Sequence, residues 1–73
     1  MKLEQGKKYN LSINGRVCDA ELIEICTYSA SGMPNDYLFT ALPGEIPILT
    51  EEKGYFPIPQ FMLNMMEVTE IGD

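Results

Sequence analysis

The chain has no His and no Trp, and only two Cys and five basic residues among its 73. Without His it lacks the commonest general base and the commonest metal ligand. Ser12, Ser29 and Ser31 therefore have no imidazole to activate them. Cys18 and Cys26 do not match zinc-site spacing when no His accompanies them. On one extended strand they would stand ~26 Å apart at ~3.3 Å per residue. That is far beyond the ~7 Å a disulfide tolerates. Two reduced thiols are expected, and with them a cytoplasmic setting. No calcium-binding loop pattern is present. The reading is a non-catalytic protein with no metal and no cofactor.

Basic residues are outnumbered by 11 acids, giving a net charge of -6. That balance opposes binding through phosphate neutralisation, so nucleic acid is not the expected partner. No apolar run approaches the ~20 residues of a membrane-spanning helix. The segment Met1–Gly6 lacks the apolar stretch of a secretory signal. Neither membrane nor export is expected.

What remains is 45% apolar and 22% charged, the balance of one small folded domain over residues 1–73. A chain this short buries a modest core, so extra contact surface has energetic value. Turn signals recur at Asn14-Gly15, Ser31-Gly32, Pro34-Asn35-Asp36, Pro43-Gly44 and Lys53-Gly54. Short apolar runs between such turns predict an all-β domain.

Asn14-Gly15 is the strongest signal, because a type I′ hairpin needs positive φ at both central residues. Before it, Tyr9, Leu11 and Ile13 alternate with Lys8, Asn10 and Ser12. After it runs a long strand from Arg16 to about Tyr28. Cys18, Ala20 and Leu22 share one face of that strand, and Ile23 and Ile25 the other. The change of parity between Leu22 and Ile23 predicts a β-bulge or a sharp coil of the strand. A loop over 29–35 leads to a central strand over Tyr37–Leu42, then to an edge or irregular segment with Ile46, Ile48 and Thr50. Pro57 and Pro59 are expected to take the chain out of the sheet. One or two helical turns over 59–66 should precede a last strand over Met66–Ile71. Residues 1–5 and 72–73 should fray.

This order, carried by Gly6-Lys7-Lys8-Tyr9, Asn14-Gly15, Tyr37–Leu42 and Pro57–Val68, resembles an SH3-like small β-barrel. The resemblance is architectural and covers about residues 6–71. It implies a five-stranded antiparallel barrel with a short helical turn before the last strand. Proline-recognising SH3 domains carry an Ala-Leu-Tyr-Asp-Tyr segment and a groove Trp. This chain has neither, so peptide-groove function does not carry over.

The functional candidates are surface features. Asp19, Glu21 and Glu24 crowd the long strand and Glu51 and Glu52 a turn, a pattern suited to a basic protein partner. Solubility alone is the plainer account of such charge. Three of the five Met fall in Phe61–Met66. There Phe61 and Met65 are assigned to the core, and Met62 and Leu63 to a contact surface that would suit a homodimer. The expected role is a small acidic protein-binding domain, with an inhibitor or accessory factor of a phage or mobile element as one version. The alternatives are a barrel that binds single-stranded nucleic acid or a small ligand, and a structural or assembly subunit.

Overall fold

The computed structural model describes residues 3–28, 33–48 and 54–71. Strands β1 (Lys8–Ile13), β2 (Arg16–Tyr28), β3 (Met33–Ala41), β4 (Phe56–Pro59) and β5 (Glu67–Glu70) form one antiparallel sheet in the order β4-β3-β2-β1-β5. A single helical turn, α1 (Gln60–Leu63), precedes β5. The hairpin between β1 and β2 turns at Asn14 (φ 50°) and Gly15 (φ 80°), as the type I′ signal requires.

The β2–β3 register shifts between Leu22 and Glu24, which leaves Ile23 as the extra residue of a bulge. On either side of it the inward set changes from Cys18, Ala20 and Leu22 to Ile25, which packs on the core from the opposite parity. The sheet's inner face supplies Tyr9, Leu11, Cys18, Ala20, Leu22, Phe39, Phe56 and Ile58, all fully buried. Phe39 sits at the centre, edge-on to Tyr9 with ring centroids 6.4 Å apart and stacked on Phe56 at 6.1 Å. The Tyr9 hydroxyl accepts the Glu4 N–H at 2.9 Å, so this buried phenol is satisfied.

Three expectations need correction and a fourth is narrowed. The segment Phe56–Pro59 does not leave the sheet but forms its outer strand. Thr40 lies opposite Glu21, whose backbone faces β3, so Phe39 and Tyr37 bond towards β4. Their partners Phe56 and Ile58 face the ladder, and Pro57 and Pro59 direct their missing N–H positions to the free side. Second, the sheet is open: among the described residues no ladder joins β4 to β5, so a closed barrel is not formed. Those prolines leave β4's free side without donors at the positions where such a ladder would form. Third, residues 3–5 are docked rather than frayed. Leu3 is buried in the core, and the Gln5 side-chain carbonyl accepts the Ile25 N–H at 2.9 Å. Fourth, the sheet takes no strand from residues 42–48: of the two forms expected for the segment with Ile46 and Ile48 it has the irregular one, with Ile48 buried. Thr50 lies outside the described residues, as do residues 1–2 and 72–73.

Candidate functional site: an acidic sheet face

The outer face of the sheet is built by the bulge. Before Ile23 the odd-numbered residues of β2 point outward, which places Asp19 and Glu21 there. The extra residue reverses parity, so Glu24 and Cys26 point outward as well. Without it, Glu24 would face the core. Register then sets Asp36 of β3 opposite Cys26, and Glu67 of β5 beside Ser12 of β1. Five carboxylates thus share one face, with Lys8, opposite Glu21, as the cation among them. Spacing alone joins neither Asp36 nor the C-terminal acid Glu67 to the acids of the long strand. Their membership follows from cross-strand register, which only the folded pairing fixes.

Local hydrogen bonds hold part of this face. Asn10 Nδ2 donates to Asp19 Oδ1 at 2.8 Å from the adjacent strand. The Asp19 backbone N–H donates to Glu45 Oε1 at 2.9 Å. The Cys26 thiol donates to Glu24 Oε2 at 3.4 Å. That bond, then burial and the negative charges of Glu24 and Asp36, pushes the Cys26 thiol pKa above its usual value. A thiol held protonated is a poor nucleophile. Neither cysteine is in a disulfide; Cys18 lies inside the core and Cys26 half-buried on the acidic face. Among the described residues no three metal-ligating side chains converge. No described helix is long and apolar enough to cross a membrane.

The Met-rich segment reverses its expected phase. Leu63 and Met66 are buried and Met62 packs partly against the core, whereas Phe61 and Met65 are 62% and 66% exposed. The phase is set by two anchors. Pro59 ends β4 and stands at the helix N-cap, and Tyr37 Oη donates to Gln60 Oε1 at 2.6 Å. With Gln60 tied to β3, Leu63 and then Met66 are the residues that meet the core. Leu63 therefore turns into the core rather than outward, and Met62 is only partly available. Phe61 and Met65, assigned to the core by spacing alone, form the exposed pair instead. Glu51 and Glu52 lie outside the described residues.

At the sheet's other end Lys7 Nζ reaches Glu4 Oε2 at 3.3 Å and Glu70 Oε2 at 3.5 Å. The Glu4 hydrogen bond and charge, with Glu70 behind them, raise the Lys7 pKa above 10.5. All three groups are well exposed, so the pairs add little stability.

Comparison with protein-family models, with curated proteins and with solved structures returns no match to this chain.

Proposed function

We propose that this protein is a non-catalytic binding module whose acidic sheet face docks a basic protein surface. One observation carries the reading: the bulge at Ile23 turns Asp19, Glu21 and Glu24 to the same side, in line with Asp36 across β3. A like-charged face gains nothing for folding, since neighbouring carboxylates repel, but it supplies complementarity and steering towards a cationic partner. The absence of His and the protonated state of Cys26 support a binding role over a catalytic one. The strand order, with a helical turn before β5, supports kinship of architecture with SH3-like small barrels.

The test is capture followed by reconstitution. Proteins from the source cell that bind the wild-type chain are identified, purified and titrated against two variants. In the first, Asp19, Glu21 and Glu24 become Lys. In the second, Glu4 and Glu70 become Lys, away from the face. The face variant should bind about tenfold or more weakly, with the loss reduced at high salt. The second should bind as wild type. Equal losses in both would assign the acids to overall charge and remove the proposal.

A further inference from the structure

Among the described residues the sheet has two outer strands, β4 and β5, and of these β5 alone offers backbone N–H donors along its free side. In β1 the odd-numbered residues bond towards β2: the Lys7 carbonyl accepts the Leu22 N–H at 2.9 Å. Even-numbered residues bond towards β5, and the Lys8 carbonyl accordingly accepts the Ile71 N–H at 2.9 Å. Asn10 with Thr69 and Ser12 with Glu67 are then the bonded pairs of the β1–β5 ladder. Alternation turns the backbone N–H and C=O of Val68 and Glu70 to the free side. Among the described residues no backbone partner reaches them. On β4 the corresponding free-side positions are Pro57 and Pro59, which offer no N–H.

Beside Val68 lies a groove of about 250 Å³ lined by Leu3, Gln60, Leu63, Asn64, Met66 and Val68. Its apolar residues Leu3, Leu63 and Met66 belong to the core. Its polar wall is fixed by Gln60 Nε2 donating to Asn64 Oδ1 at 3.0 Å, with Tyr37 holding Gln60 from behind. The groove lies between β5 and α1, at the seam where the sheet does not close.

We propose that this seam binds an extended segment of a partner protein by strand addition to β5, and that the segment alternates basic and apolar residues. The clause that the partner is basic rests on the function proposed above; the mode and place of binding are new. Main-chain bonds would form at Val68 and Glu70, and the side chain opposite Val68 would enter the groove. The flanking side chains would point to the outer face beside Glu67, where Lys or Arg is complementary. A second copy of this chain fits poorly. It would bring Glu67 and Glu70 of both strands to one seam in a chain of net charge -6, without the cation that a basic segment supplies.

The probe is a capped heptapeptide alternating Lys and Val, with Lys at both ends. It is titrated into the whole isotope-labelled protein and followed by amide shifts and hydrogen exchange. The control peptide has the same composition with Lys and Val in separate blocks. The expected result is saturable shifts at Leu63, Met66, Val68 and Glu70, with the Val68 and Glu70 amides passing from rapid to slowed exchange. The block peptide should bind at least about tenfold more weakly, because only alternation sends every apolar side chain to one side. Val68→Pro removes the free-side donor without removing a ladder bond to β1 and should abolish the slowed exchange at Glu70. Glu67→Lys leaves the backbone intact and should weaken binding about tenfold. Shifts confined to Asp19, Glu21 and Glu24 would overturn the seam while leaving a basic partner in place. Absence of saturable shifts anywhere would overturn it as well, as would protection of Val68 that rises with protein concentration when no peptide is present.

Discussion

Strands β4 and β5 are each four residues long and each closes one side of the same sheet, yet they are held by different forces. In β4, Phe56 and Ile58 are fully buried, Phe56 stacked on Phe39. In β5 only Val68 is half-buried, and Glu67, Thr69 and Glu70 are exposed. β4 is a core element that happens to sit at an edge, with prolines where a neighbour would attach. β5 is held by its ladder to β1 and by the packing of Val68 against the core, and its outer side carries ordinary peptide groups. An edge strand with one half-buried core contact is cheap to remodel, which suits it to accept a partner.

The largest effect should separate the two strands directly. Phe56→Ala should destabilise by about 3–5 kcal/mol, because the ring leaves a void between Phe39 and the sheet. Val68→Ala should cost about 1 kcal/mol, since that side chain is half in solvent. Urea denaturation of both measures the contrast. Equal losses would mean that β5 is as much a core strand as β4.

Next comes the hairpin that both edges depend on. Gly15 has φ 80°, with nothing near the position a Cβ would occupy, so the cost of a side chain there is backbone strain rather than collision. Gly15→Val should therefore cost about 1–3 kcal/mol, while Gly15→Asn should cost distinctly less. A wild-type melting temperature in the Val variant would remove the type I′ assignment. That variant should destabilise the pairing of β1 and β2 without changing the ranking of the two edges.

The hairpin was legible in the sequence because it depends on two adjacent residues. The bulge was legible for a similar reason: Leu22-Ile23 breaks a period of two within one strand, and no distant residue is needed to see it. The outer strand Phe56–Pro59 was not legible. Proline forbids a central strand but not an edge, and which of the two applies depends on where β3 ends. The phase of α1 was hidden for the same kind of reason. Phe61, Met65 and Val68 have helical spacing, but a single turn does not continue to Val68, and the Tyr37–Gln60 bond across 23 residues selects the buried side. The acidic face was half legible. Asp19, Glu21 and Glu24 are adjacent in sequence, whereas Asp36 joins them only through the β2–β3 register.

A third experiment tests whether the prolines guard β4. Pro57→Thr restores one N–H on the free side and replaces an exposed ring with a strand-forming residue. Stability should change by less than about 1 kcal/mol, because the position faces solvent and carries no ladder bond. Self-association measured by sedimentation should increase relative to wild type. A variant that associates no more than wild type would show that missing donors do not limit pairing at this edge. The same substitution should leave exchange at Val68 and Glu70 untouched.

The smallest effect concerns the charges around β5. Lys7 has its pKa raised by Glu4 and Glu70, so its contribution is complete below the unfolded value of 10.5 and is lost as pH rises through the higher folded value. The slight decline in melting temperature across that alkaline range should shrink in Glu4→Gln/Glu70→Gln and in high salt. At pH 7 the double variant should melt close to wild type, because Lys7 and both carboxylates are well exposed. If it instead frees β5, seen as faster exchange of the Ile71 amide that bonds Lys8, the strand is held by these charges rather than by its ladder. In that case strand addition at Val68 would compete with the ion pairs, and salt would strengthen the binding of an uncharged strand while weakening that of a basic one.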